Sequence, residues 1–169
     1  LYAGIWGSNV DFNDEDEAHV EVDYYVGYSG EYSGFTYDLG GLYYTYPGAD
    51  SDLDYDFFEV SGALGYDFDV AALSGAINYS PDFFGSTGDA VYYGATLDVP
   101  LPYEFSVSAH AGYQTIDEGV DYADWSLGLG YSIAGFDLSL AYYDTDMDEP
   151  EECADGCDAR VAFGVSRSF

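Results

Sequence analysis

Large apolar residues alternate with small or polar residues over most of this chain. In the clearest segment, every odd position is large and apolar (Trp125, Leu127, Leu129, Tyr131 and Ile133) and every even position is Ser or Gly. A period of two is typical of a β-strand with one apolar face and one small or polar face. The segments are about ten residues long, which is the length that a tilted strand needs to cross the apolar layer of a membrane.

Ten segments follow this pattern and are predicted to be strands: 1–10, 19–28, 35–44, 57–66, 70–79, 91–99, 105–114, 125–133, 136–143 and 160–169. The connections between them alternate in length. Short turns are predicted near 29–34, 67–69, 100–104 and 134–135, and long loops at 11–18, 47–56, 80–89, 115–124 and 144–158. Strict alternation of short and long connections is typical of membrane barrels, which have brief periplasmic turns and extended external loops.

The sequence therefore predicts one all-β domain over residues 1–169, an antiparallel up-and-down transmembrane β-barrel with ten strands in this chain. A soluble barrel or sandwich would place its large apolar residues inside and its charged residues in water. Here Ser, Gly, Ala and Tyr dominate the second face of the strands. That face therefore has too few charged residues to be one that faces solvent. We expect the apolar stripe to contact lipid. Aromatic residues near strand ends, including Tyr2, Trp6, Tyr46, Phe83 and Phe84, are predicted to form interfacial girdles.

Acidic residues dominate the charge of the chain, with 33 Asp and Glu against two Lys and Arg and a formal net charge of −31. The five long loops hold 23 of these 33 acids, so one rim of the barrel is strongly acidic. A nucleic-acid partner is excluded because nothing here could neutralise phosphates. An acidic surface is also typical of salt adaptation, so a soluble acidic β-protein of a salt-adapted cell stays an alternative.

Placing the apolar stripes outward assigns eight ionisable residues to the lumen: Glu21, Asp23, Asp38, Glu59, Asp98, His110, Asp137 and Arg160. Buried carboxylates without partners are costly, so these acids need water, shared protons or one of the few cations. One hypothesis is a hydrated acidic passage for small solutes or cations. The alternative is a non-conducting barrel, plugged by hydrogen-bonded side chains, that presents acidic loops for structural or surface interactions.

Outside the predicted lumen, the sequence offers only a candidate disulfide and a weak candidate calcium loop. Cys153 and Cys157 are predicted to form a small disulfide in an oxidising compartment. Asp144, Asp146 and Asp148 have the alternate spacing of a calcium loop, but the Gly that such a loop requires at its sixth position is Glu149 here, which favours a solvated acidic rim. No hydrolase, metalloprotease or phosphate-binding motif is present, so we expect neither an enzyme nor catalytic residues, and no cofactor beyond that loop calcium.

Three motifs resemble a family of proteobacterial outer-membrane proteins of unknown function, Gcw_chp. They are Leu1-Tyr2-Ala3-Gly4-Ile5-Trp6-Gly7-Ser8-Asn9-Val10, Val20-Glu21-Val22-Asp23-Tyr24-Tyr25-Val26-Gly27-Tyr28 and Tyr44-Thr45-Tyr46-Pro47-Gly48. The resemblance implies a bacterial outer-membrane location. Members of that family carry a further N-terminal hairpin that this sequence lacks, so we expect a barrel that closes with ten strands, or with twelve if such a hairpin is restored. The terminal Phe169 resembles the signal read by the barrel assembly machinery, which together with outer-membrane lipid is the predicted partner.

Overall fold

The structure is a computed structural model that describes residues 1–10, 18–148 and 157–167. Its strands are β1 Tyr2–Asn9, β2 Val20–Tyr32, β3 Phe35–Thr45, β4 Phe57–Asp67, β5 Ala72–Ser80, β6 Ala90–Leu101, β7 Phe105–Ile116, β8 Tyr122–Ile133, β9 Phe136–Thr145 and β10 Arg160–Ser166. Each strand pairs antiparallel with the next one in sequence, so the described strands form one sheet in the order β1 to β10. The predicted all-β, up-and-down antiparallel fold is confirmed.

Several strands run further than their patterns predicted, and β2 shows why. The predicted turn at 29–34 shrinks to Ser33 and Gly34, because Tyr32 still pairs with Phe35. Both turn residues have positive φ, 54° and 83°. A two-residue turn of this type matches the right-handed twist of the two strands it joins. Polar residues in 29–31 resemble a turn in the sequence, yet they continue the strand.

The sheet has two chemically different faces. Directly paired residues share a face, so the register can be followed from strand to strand. The face with Leu39, Leu127 and Val161 leaves these side chains exposed, Leu127 at 58%. On the other face, Asp23 is only 7% exposed to solvent. Glu59 on β4 lies within electrostatic range of Tyr122 on β8 although three strands separate them, so this second face is concave. We call it the inner face and the apolar face the outer face.

The strands are staggered as the tilted strands of a barrel require. One row of paired residues begins at Glu31, at the short-turn end of β2, passes through His110 on β7 and ends at Arg160, the first residue of β10. Within the described residues no ladder joins β10 to β1. Closure of the barrel, with ten strands or with twelve, stays a prediction.

A cluster of aromatic rings, formed by Tyr46, Tyr55, Phe57, Phe83 and Phe84, lies at the long-loop end of the sheet. Tyr55 and Phe84 stack with centroids 4.3 Å apart, and Phe57 meets Phe83 edge to face at 4.8 Å. The girdle interpretation is therefore wrong for Tyr46, Phe83 and Phe84, whose rings pack against one another. The register also places Tyr2 and Trp6 on the inner face, opposite Gly27 and Asp23. An aromatic residue at a strand end does not show, by its type alone, whether its ring lies on the outer side or in the interior.

None of the helical structure in the described ranges is long and apolar enough to span a membrane.

Candidate functional site

The inner face brings together the residues that the alternation pattern singled out. All eight lie on it: Glu21, Asp23, Asp38, Glu59, Asp98, His110, Asp137 and Arg160. Glu21, Asp23 and Glu59 lie near the long loops, whereas Asp98 and Asp137 are exposed near the short turns. Their role in lining an open lumen stays a prediction, but their common face makes them one candidate site.

Three carboxylates and two phenols form a carboxylate–tyrosine cluster at the long-loop end: Glu21, Asp23, Glu59, Tyr44 and Tyr46. The Tyr44 hydroxyl donates to Glu59 Oε2 over 3.2 Å, and the Tyr46 hydroxyl is hydrogen-bonded to Glu21. Asp23 is buried, and its Oδ1 has no hydrogen-bond partner among the described residues. Burial, followed by the hydrogen bond to Glu21, raises the pKa of the Tyr46 phenol, which keeps it protonated and able to donate.

A second polar group, the His110 network, connects three strands and consists of Tyr92, Thr96, His110 and Asp124. Tyr92 Oη lies 2.7 Å from His110 Nε2 and donates to Asp124 Oδ2 over 3.0 Å. Thr96 Oγ1 lies 2.8 Å from His110 Nδ1. If Tyr92 gives its proton to Asp124, then Nε2 carries the histidine proton and Nδ1 accepts from Thr96, an assignment in which each contact has one donor.

Among the eight inner residues, only His110 and Arg160 could carry a positive charge beside the acids. His110 does contact a carboxylate, at 3.4 Å from Nε2 to Oδ1, but that carboxylate belongs to Asp124. Asp124 was assigned to a long loop, whereas β8 begins earlier, at Tyr122. The signal was present in the sequence, because Asp124 has the same parity as Ser126 and Gly128. Arg160 is exposed at the start of β10, opposite Tyr143.

Glycines give the inner face the room for its tyrosines. A Cβ on Gly27 would overlap the ring of Tyr2, and one on Gly4 would overlap the ring of Tyr25. These residues are reciprocal partners, since Tyr2 pairs with Gly27 and Gly4 with Tyr25. The Tyr2 ring passes over Gly27 so that its hydroxyl donates to Asp38 Oδ1 over 2.7 Å.

The short-turn end of the inner face is built from smaller groups. Asp98 pairs with Ser108, and Asp137 accepts a hydrogen bond of 2.6 Å from the Ser132 hydroxyl. Next to them, Ser106 pairs with Gly130, which has no side chain. The inner face is thus crowded by rings toward the long loops and lined by small residues toward the short turns.

Two of the three candidate calcium ligands accept hydrogen bonds from protein donors. Asp144 accepts from the Tyr142 hydroxyl over 2.6 Å, and Asp146 accepts from the Ala123 amide over 2.6 Å. Across the described ranges, no group of three His, Cys, Asp or Glu side chains is arranged to hold a metal ion. The calcium site at Asp144, Asp146 and Asp148 stays a prediction.

The proposed disulfide and the terminal signal both involve residues outside the described ranges. Cys157 is not a free thiol, but Cys153 lies outside these ranges and the pairing stays a prediction. Phe169, the predicted signal for the assembly machinery, also lies outside the described residues.

Comparison with known proteins agrees with this architecture. A porin structure refined at 1.8 Å resolution is similar with a TM-score of 0.56 and 18% sequence identity, over 89% of this chain and 51% of the porin chain. The chain thus spans about half the length of that porin, and the likeness concerns the fold. No curated protein matches the sequence. A family of bacterial proteins of unknown function matches residues 1–169. Because that match covers the whole chain, the protein belongs to the Gcw_chp family.

Proposed function

We propose that this protein is an outer-membrane β-barrel of a Gram-negative bacterium that lets small cations diffuse through an acidic interior. The observation that carries the proposal is the chemical division of the sheet. Its outer face exposes large apolar side chains such as Leu39, Leu127 and Val161, and its concave inner face carries the carboxylates. An exposed apolar face of this extent is unfavourable in water and favourable in lipid. This argues against a soluble protein of a salt-adapted cell.

The charge of the inner face supports cations as the solute. Carboxylates occur from Asp23 near the long loops to Asp137 near the short turns, while Arg160 and Arg167 are the only Arg or Lys residues of the chain. Carboxylates that line a narrow passage concentrate cations and repel anions electrostatically. The passage would be narrowest at the carboxylate–tyrosine cluster, where rings replace small residues. No catalytic step is part of this proposal.

A second candidate function follows from the aromatic cluster. Tyr46 and Phe57 are each only 8% exposed, so the long-loop end of the inner face is densely filled. A barrel filled in this way would conduct nothing and would act through its acidic loops, as a structural or surface-interaction protein. Both candidates share the outer-membrane location.

The test is a bilayer measurement on the purified full chain. Under a KCl gradient, we expect a reversal potential that indicates cation preference. The double variant Glu21→Gln with Asp23→Asn should shift it toward zero, while Asp52→Asn, an exposed acid in the 47–56 loop, should not. Absence of any conductance would exclude the passage and leave the second candidate. Failure to fractionate with outer membranes, with no heat-modifiable migration on a detergent gel, would overturn both.

A further inference from the structure

We propose that the carboxylate–tyrosine cluster is a binding site for one hard divalent cation of the Ca²⁺ type, with Asp23 and Glu21 as its charged ligands. The site lies on the inner face at the long-loop end and is separate from the loop acids Asp144, Asp146 and Asp148. It does not depend on conduction, because a barrel that passes no ions could still hold one there.

Asp23 is a buried carboxylate whose burial is not compensated by hydrogen bonds at both oxygens. Its side chain is 93% buried, and Oδ1 is inaccessible and accepts no hydrogen bond from any described residue. A buried carboxylate oxygen without a donor loses its hydration and gains nothing in return. A bound cation removes this penalty, since it supplies positive charge directly to the oxygen.

The groups around Asp23 supply oxygen atoms and no positive charge. Its direct partners in the sheet are Trp6 and Tyr44, and neither carries a charge. The Tyr44 hydroxyl gives its proton to Glu59, and the Tyr46 hydroxyl is hydrogen-bonded to Glu21. Both phenol protons are therefore directed at the glutamates, and the phenol oxygens keep lone pairs that a cation can use. The nearest charged neighbour on the same strand and face is Glu21, which repels Asp23.

The ligand set selects the kind of ion. Carboxylate and phenol oxygens are hard donors, and no His or Cys belongs to the cluster, which disfavours Zn²⁺ and copper. Ca²⁺ takes six to eight oxygens in flexible geometry and tolerates water among them. No three acidic groups of the described residues converge as one metal site. The proposed site therefore uses two carboxylates only, and Glu59, whose carboxylate is bound by the Tyr44 hydroxyl, is not assigned as a ligand. Water would complete the coordination sphere.

Terbium, which replaces Ca²⁺ and luminesces when nearby tyrosines are excited, is the probe. We expect the full chain in detergent micelles to show one saturable Tb³⁺ signal that CaCl₂ displaces. Asp23→Asn should weaken this binding at least about tenfold, the lower bound for removing even an outer-shell partner of a metal ligand. Glu21→Gln, at a half-buried position, is the second variant if Asp23→Asn fails to fold, as judged by heat-modifiable migration.

The matched control is Asp89→Asn, because Asp89 is an exposed rim carboxylate that also accepts a hydrogen bond from a tyrosine hydroxyl, that of Tyr79. It should leave the saturable signal unchanged. Unaltered affinity in both Asp23→Asn and Glu21→Gln, loss of the signal in Asp89→Asn, or absence of any saturable signal would each overturn the proposal. Since the titration involves no current, its failure is distinguishable from a failure of the bilayer experiment.

Discussion

Tyr92 on β6 donates a hydrogen bond of 3.0 Å to Asp124 on β8, although β7 lies between the two strands. The side chain crosses β7 at Gly112, where a Cβ would overlap both the Tyr92 hydroxyl and the Asp124 carboxylate. The inner face thus has a polar connection that skips one strand of the sheet. It exists only because the residue beneath it has no side chain.

Gly112→Ala should break this connection. The added Cβ displaces Tyr92 and Asp124, and we expect the free energy of unfolding to fall by about 1–3 kcal/mol, the usual cost of overpacking. Urea unfolding of protein refolded into lipid vesicles measures the change. Gly128→Ala is the matched control on the same face, because its nearest neighbour would be 3.7 Å away. Equal unfolding midpoints for the two variants would contradict the role given to Gly112.

Ala134→Asn should stabilise the turn between β8 and β9. Ala134 has φ of 55° and Gly135 has φ of 79°, in a two-residue turn that connects Ile133 to its partner Phe136. The left-handed conformation costs an ordinary residue about 1–2 kcal/mol, and Asn accepts it more readily. We expect a higher urea midpoint for Ala134→Asn and a lower one for Ala134→Val. A midpoint reduced by Asn would show that the turn adopts another conformation.

Tyr46 should make the protein sensitive to alkaline pH. Burial raises the pKa of its phenol in the folded state, so the unfolded chain ionises first, near pH 10. The stability that depends on the neutral phenol is complete below that pH and is lost as the pH rises above it.

Tyr46→Phe removes this dependence. Above pH 10, its free energy of unfolding should fall less steeply than that of the unmodified chain, by about 1.4 kcal/mol per pH unit. The control is Tyr103→Phe, in a short turn with 88% exposure, which should follow the unmodified chain. Parallel curves for Tyr46→Phe and the unmodified chain would show that the phenol ionises equally in both states.

Phe84→Ala tests whether the aromatic cluster restricts the long-loop end. The Phe84 ring lies 4.3 Å from Tyr55 and 5.3 Å from Tyr46, centroid to centroid. Its removal should loosen the packing of this end and, if ions pass, raise the single-channel conductance. Phe68→Ala is the control, because that ring contacts Tyr66 beside a short turn at the opposite end. An equal rise in both variants would exclude the cluster as the restriction.

The strands and their faces could be predicted because they depend on local order in the sequence. The alternation through Val20–Tyr28 assigned Glu21 and Asp23 to the face opposite Val22 and Tyr24, and the register agrees. Once the period is two, a residue's face follows from its parity alone. Chain order also predicted which strands pair, because consecutive antiparallel strands joined by short connections lie side by side.

The contacts across the interior could not be predicted in the same way. The proximity of Glu59 to Tyr122 depends on how strongly the sheet curls, which no single strand encodes. The packing of Phe83 and Phe84 on Phe57 depends on the path of a loop back over the sheet. The pairing of His110 with Asp124 required the correct start of β8, and the boundaries of strands are their least predictable part.

The reciprocal fit of Tyr2 on Gly27 and of Tyr25 on Gly4 has a consequence for assembly of the hairpin. If β1 slipped by one residue against β2, each ring would meet a side chain instead of a bare backbone, and every side chain of β1 would change faces. The misaligned hairpin would be destabilised at two positions, because neither the Tyr2 ring nor the Tyr25 ring would lie over a glycine. The register of the first two strands is therefore selected by their own side chains, on the inner face of the sheet.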